Sequence, residues 1–225
     1  LGGGIELEAL TEVFGAFASG KTQFCYSTLV EAMFKHRWKA IWIDCEDTFD
    51  PERLHEIIKA RGYGADMTED ELDTYIDKYL SYIHTPNTDT VVEEVMNLSR
   101  RLVEDESIKL IIVDGATGQF REEYLGRGTL ASRQQNLAKF LGVLKNSAYF
   151  FNVAVLMTNQ VGTDPAKAYG DPTYAVGGNI VGHASTYRLY FKKAGKKRYA
   201  TAIDSPKQAV FDCEFLLTDK GIDNP

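Results

Sequence analysis

Positive charge is what this sequence has too little of: 25 Lys and Arg stand against 32 Asp and Glu, a formal net charge of -7. Overall charge therefore gives nucleic-acid binding no support, and any such surface has to be a local basic patch. Cysteine is scarce as well. Cys25, Cys45 and Cys213 are odd in number and widely scattered, which excludes a disulfide framework and a metal-binding spacing. Free thiols in a reducing, cytoplasmic setting are expected. No apolar run is long enough to span a bilayer, so no membrane partner is expected, and the first residues carry no signal-peptide pattern. An initiator Met is missing too, and Leu1-Gly2-Gly3-Gly4 reads as the entry to a domain from which an upstream segment has been removed. Repeats and low-complexity runs are absent. What is present is the makings of a core: 44% of the 225 residues are hydrophobic, with 12 Tyr, 12 Phe and 2 Trp.

The apolar pattern gives the element order. Residues 10–14 form a short strand entering a Gly-rich turn, and a helix follows over about 20–35. Residues 39–44 are a continuous apolar run of the buried-strand kind. Asp50 caps the next helix, Pro51 suits its first turn and Gly62 ends it, with Leu54, Ile57 and Ile58 facing inward. Thr68 and Glu71 form a capping box for another helix. A third strand covers 80–83. Val91, Val92, Val95, Leu98 and Leu102 make the stripe of one further helix. Residues 110–114 are the fourth strand, a long helix begins near Thr129, and 153–159 are the fifth strand. Beyond Gly178 the pattern is one of strands, with 187–192 and 198–204 joined by a basic turn over 193–197. Alternating strands and helices imply an α/β fold. It would be a mostly parallel twisted sheet with helices on both faces, extended at one edge by C-terminal antiparallel strands, in one domain over 1–225.

Gly15, Ala16, Phe17, Ala18, Ser19, Gly20, Lys21 and Thr22 match G-x-x-x-x-G-K-[ST] between a strand and a helix. Glycines let the backbone curl so that successive N–H groups point at phosphate oxygens. Lys21 supplies a positive charge at the β- and γ-phosphates of ATP, the Thr22 hydroxyl ligates Mg²⁺, and the helix N-terminus faces the same oxygens. Asp114, closing the fourth strand, is the expected acid for Mg²⁺ or its water. Hydrolysis also needs a group to activate water. Glu46 leads because it lies at the carboxyl end of a strand, although Asp44 and Asp47 flank it. Asn159-Gln160 ends the fifth strand at the same edge, where a neutral amide can bond a γ-phosphate. Each of these is equally a polar strand terminus.

Several segments together resemble the RadA branch of the RecA-type recombinases. They are 11–23 around the phosphate loop and 42–53 around Glu46. Phe120-Arg-Glu-Glu-Tyr-Leu-Gly-Arg-Gly128 with 133–135, and the flanks 158–161 and 177–185, complete the set. The resemblance runs nearly end to end over that family's ATPase core. It implies that Glu46 is the general base, that Gln23 belongs to the phosphate-loop flank, and that Arg53 packs against adenine. Gln160 would couple the γ-phosphate to a second DNA loop over 162–176. Arg121, Tyr124, Arg127 and Arg133 would serve the first DNA loop, with charges on phosphates and a stacking face on Tyr124. His183 and Asp204 would approach ATP on a neighbouring subunit of a filament. The implied partners are single- and double-stranded DNA, further copies of the protein, and peptides bearing Phe-x-x-Ala.

Read without the resemblance, Arg127 is a solvated loop tip and Tyr124 a core anchor. The cluster of Lys192, Lys193, Lys196, Lys197 and Arg198 reads either as an attractor of DNA or as a solvated hairpin turn. There are departures from the family pattern. Asp47 stands where an uncharged residue is usual, Asp50 where an Arg is usual, and Gly115 where a Ser is usual. The segment after Pro206 is shorter, and the N-terminal helical domain and its Phe-x-x-Ala linker are not in this chain. These departures motivate a second reading, a RadA-like paralogue that mediates recombination without exchanging strands. A third, a small-molecule kinase, has no use for the segment 124–128.

Overall fold

A computed structural model describes residues 4–123, 130–164, 172–195, 197–207 and 209–225. Its frame is a nine-stranded sheet in the order β11-β10-β9-β8-β1-β5-β4-β2-β3. The strands β1 (Leu10–Gly15), β2 (Lys39–Asp44), β3 (Leu80–His84), β4 (Ile108–Asp114), β5 (Ala154–Asn159) and β8 (Tyr187–Ala194) run parallel to one another. β9 (Lys197–Asp204), β10 (Phe211–Thr218) and β11 (Gly221–Asp223) continue it antiparallel beyond β8. Alternation within the buried strands divides the core in two. Ala40 and Trp42 of β2 face the cluster with Tyr26, Leu54 and Ile57, whereas Ile41 and Ile43 face the cluster with Val95, Phe140 and Leu144.

The helices α1 (Lys21–Val30), α2 (Pro51–Ala60) and α3 (Glu69–Tyr79) supply the first cover, and α1 runs on into a π-turn over Glu31–Lys35. α4 (Thr88–Met96), α5 (Leu98–Glu104) and α7 (Leu130–Phe151) supply the second. Two short helices, α6 (Gly118–Glu123) and α8 (Gly178–Ala184), follow β4 and precede β8. The cap at Asp50 forms as expected, its carboxylate accepting from the N–H groups of Glu52 and Arg53. So does the capping box of Thr68 and Glu71. Such caps contribute about 1 kcal/mol each.

Three expectations need correction. The stripe from Val91 to Leu102 belongs to two helices, not one. Asn97 closes α4 by donating its N–H to the Glu93, Glu94 and Val95 carbonyls, while Val91, Val95, Leu98 and Leu102 stay buried across the break. The stretch after Gly178 begins with helix α8, which starts at Gly177 with φ of 89°. The glycines among residues 177–182 weaken any helical signal there. The β8–β9 turn is tighter than 193–197, since Ala194 already pairs with Lys197.

The C-terminal strands fold over the phosphate-loop helix. The Ile222 N–H donates to the Ser27 hydroxyl at 2.9 Å, and Arg61 donates to the carbonyls of Lys220 and Ile222. Parallel registry brings the carboxyl ends of β1, β5, β4 and β2 to one edge, with Phe14 beside Asn159 and Asp44 beside Asp114. Ligands gather at that edge in open α/β sheets.

Candidate active site

The phosphate loop leaves β1 at Gly15, where a Cβ would lie 2.3 Å from the Phe191 carbonyl oxygen and 2.7 Å from Ser19 Oγ. Only glycine fits. The loop enters α1 through Gly20 at φ of 108°, and the first turn of α1 carries no acidic residue to repel an anion. Lys21 Nζ folds back to donate to the carbonyls of Gly15 at 3.0 Å and Ala16 at 3.2 Å. Burial lowers the pKa of its ammonium, opposed by the charges of Glu46 and Asp114. Phe17 at the loop tip is 97% exposed. A larger, mostly apolar hollow of ≈ 620 Å³ lies between α1 and β8–β10 and contains none of these residues.

Asp114 is buried at the end of β4. Its Oδ1 accepts from the Thr158 hydroxyl at 2.5 Å, which in turn accepts from the Gly115 N–H at 2.7 Å. Its Oδ2 is buried without a hydrogen-bond partner. Burial pushes this carboxyl up to about 6; the Thr158 and Thr22 hydroxyls oppose the shift, and the charges of Glu46 and Asp44 add to it. An orphaned carboxylate oxygen next to a threonine hydroxyl suits a hard divalent cation that keeps most of its water. Thr22 and Asp114 therefore fit Mg²⁺. Among the described residues, no cluster of three or more His, Cys, Asp or Glu offers a rival metal site.

The three acids after β2 separate by role. Asp44 is buried and accepts from the N–H groups of Glu46, Thr48 and Phe49 at 2.9–3.0 Å and from the Tyr82 hydroxyl, so it shapes the turn. Asp47 is exposed at φ of 54° and lies 3.9 Å from His84. Glu46 alone turns towards the β4 and β5 ends, where Gln160 Nε2 donates to its Oε1 at 2.8 Å. Gly115 makes room for it. At φ of 82°, a Cβ on residue 115 would lie 2.3 Å from Glu46 Cγ. Beside the loop, Arg53 donates through Nε and Nη2 to the Gln23 side-chain carbonyl at 3.0 Å and through Nη2 to the Thr218 carbonyl at 2.7 Å. That locks α2 and β10 onto the start of α1.

A second surface lies past the β4 and β5 ends. There a two-stranded ribbon forms, β6 (Val161–Thr163) pairing antiparallel with β7 (Thr173–Ala175). Arg121 on α6 and Arg133 on α7 line a common cleft of ≈ 350 Å³ with Gln134 and Tyr174. Tyr174 is 52% exposed and lies across Gly162, where a Cβ would come 2.6 Å from its ring. The cleft thus gathers two guanidinium groups and an exposed aromatic ring, the kinds of group that single-strand binding grooves in general combine. Gln119 ties α6 to the ends of β2 and β3 by donating to the carbonyls of Thr85 and Cys45.

A family model described as Rad51 matches residues 1–225. The chain belongs to the Rad51 family. It is 46% identical over 228 residues to the DNA repair and recombination protein RadA of Cenarchaeum symbiosum, covering 99% of this chain and 55% of that protein. Proteins of the same description from Aeropyrum pernix and Ignicoccus hospitalis are each 40% identical over the whole chain, which spans 70% and 69% of their lengths. The chain thus spans about half of the first relative and about two thirds of the others.

Of the residues singled out in the sequence, the structure brings Lys21, Thr22, Glu46, Asp114 and Gln160 to one edge and Arg121 with Arg133 to one cleft. Tyr124 and Arg127 lie outside the described residues. His183 and Asp204 are exposed. Asp204 pairs with Arg188, at the far end of β9 from Arg198, which donates to the Ala18 carbonyl at 3.4 Å. Six strand steps separate the two, roughly 20 Å. Of the basic cluster, Lys197 pairs with Glu214 at 3.1 Å, and none of its described members lines the cleft with Arg121. Thr158, Gln119 and Tyr174 are the contributors that sequence reasoning passed over, and Asn159 was read only as a polar strand end able to bond a γ-phosphate. The polar triplet closing β5 was the one signal available.

Proposed function

We propose that this chain is the ATPase core of a DNA recombinase, a single RecA-like unit. The full protein would form filaments on single-stranded DNA and promote homologous pairing and strand exchange. The observation that carries this reading is the Gln160 amide, which leaves the root of the β6–β7 ribbon and bonds the Glu46 carboxylate. One residue thereby joins a candidate DNA element to the candidate base.

In hydrolysis, the loop N–H groups and Lys21 hold the phosphates, and Mg²⁺ on Thr22 and Asp114 supplies charge neutralisation when bound. Glu46 accepts a proton from water as the water oxygen bonds the γ-phosphorus and the bond to the β-phosphate oxygen breaks, leaving ADP and phosphate. Arg53, held beside the loop by Gln23 and the Thr218 carbonyl, would offer its guanidinium face to the base. Asp204, remote from its own loop, and His183, likewise exposed, suit contact with the nucleotide of an adjoining subunit. Arg121 and Arg133, with Tyr124 and Arg127, serve DNA phosphates and bases, and backbone contact of this kind carries no sequence information. Phe-x-x-Ala peptides are a proposed partner class, to be tested by titrating such a peptide against the full-length protein.

The mediator reading loses one of its supports, because Asp50 has a structural task as the cap of α2. The test is steady-state ATP turnover of the full-length protein with and without single-stranded DNA. At least tenfold stimulation is expected; equal rates would overturn the proposal.

A further inference from the structure

We infer that Asn159 is a positioning residue that joins both DNA-facing segments to the nucleotide site, with Glu12 and Arg188 as its anchor; this rests on the function proposed above. Asn159 is fully buried at the end of β5, next to the phosphate-loop strand. Its amide nitrogen donates to Glu12 Oε1 at 2.7 Å and to the Val176 carbonyl, where the ribbon returns, also at 2.7 Å. Its amide oxygen accepts from the hydroxyl of Thr117, on the turn that leads into α6. Val176 is gripped at both of its polar groups, since its N–H donates to the Gln160 carbonyl at 3.0 Å.

The anchor is a half-buried charge pair. Glu12 is fully buried and accepts from Arg188 Nε at 2.7 Å, while the Arg188 guanidinium lies 5.3 Å from the centre of the Phe14 ring. In a sheet interior, well-packed apolar side chains would be at least as stabilising as such a pair. What the pair adds is direction. It fixes which way the Asn159 amide points, with nitrogen to Glu12 and Val176 and oxygen to Thr117.

The two neighbours of Asn159 complete the link. Thr158 donates to Asp114, and Gln160 donates to Glu46. A shift of the ribbon root or of the Thr117 turn displaces the Asn159 side chain, and through the backbone on either side it displaces both of those bonds. Coupling of this kind acts in both directions, so nucleotide must also bias the two segments.

The test uses full-length protein carrying Thr117→Val, close in shape but lacking the hydroxyl, and Thr117→Ser, which keeps it. For Thr117→Val, turnover without DNA, the ATP KM without DNA and the affinity for an oligo-dT strand in the absence of nucleotide are expected within about twofold of wild type. The stimulation of turnover by that strand should fall roughly five- to tenfold. Thr117→Ser should restore the stimulation. An unchanged ratio, or a proportional loss of basal and stimulated turnover, would overturn the inference. Hydrogen exchange separates this from the fate of the proposed function. A non-hydrolysable ATP analogue without DNA should alter exchange of residues 172–176 in wild type and leave it unaltered in Thr117→Val. Wild type that is never stimulated by DNA refutes the recombinase reading, whereas an analogue response equal in both proteins refutes the role of Asn159.

Discussion

Asp114→Asn should make the nucleotide-free protein more stable while removing its grip on Mg²⁺-ATP. The Asp114 carboxyl is pushed up to about 6 from an ordinary 3.8, chiefly by burial, and one of its oxygens has no hydrogen-bond partner. The folded state therefore holds this proton more tightly than the unfolded chain does. Its contribution is fully favourable below about pH 3.8, is lost as pH rises through about 6, and stays lost at neutral pH. The gap between those two values corresponds to about 3 kcal/mol at pH 7.5. Asparagine keeps the acceptor for Thr158 and never ionises. The variant should exceed wild type by up to about 3 kcal/mol at pH 7.5, or roughly 6–12 °C in midpoint for a chain of this size. Its advantage should shrink as pH falls from 6 towards 4. Chemical denaturation of both proteins, free of nucleotide and with chelator present, across pH 4–7.5 measures this. A stability difference that does not change with pH would refute the reasoning.

Gly115→Ser places a side chain where Glu46 now lies, 2.3 Å from its Cγ. Turnover should fall about a hundredfold or more, on the scale of a lost general base, with nucleotide affinity measured by a fluorescent analogue little changed. Arg121→Ala removes one cation from the cleft shared with Arg133. It should weaken single-strand binding at low salt and reduce the slope of log affinity against log salt by about 1. Arg53→Ala leaves the Gln23 side chain and the Thr218 carbonyl without their donor. Unfolding in urea should show a loss of about 1–3 kcal/mol.

Much of this molecule was legible from local chemistry. The phosphate loop, the buried runs of β2 and β4, and the caps at Asp50 and Thr68 depend on residues adjacent in the chain, and each formed where expected. What escaped depends on distance. Nothing around residue 46 separates Glu46 from Asp44 and Asp47; the sheet does so, by bringing Gln160 to one acid and three backbone N–H groups to another. Thr158, Asn159 and Gln160 read alike as polar strand ends, yet each meets a different partner. Helix α8 was hidden by its glycines, and the break at Asn97 by an apolar stripe that continues across it. Gly115 looked like a departure from a family serine and turned out to be the space that Glu46 occupies.

The central claim is that ATP governs a grip on DNA, with Gln160 between the two. The most direct measurement is the affinity of the full-length protein for a labelled single strand, in the presence of a non-hydrolysable ATP analogue or of ADP, each with Mg²⁺. Binding at least tenfold tighter with the analogue is predicted, a difference that Gln160→Ala abolishes. Equal affinity in the two nucleotide states would contradict the account.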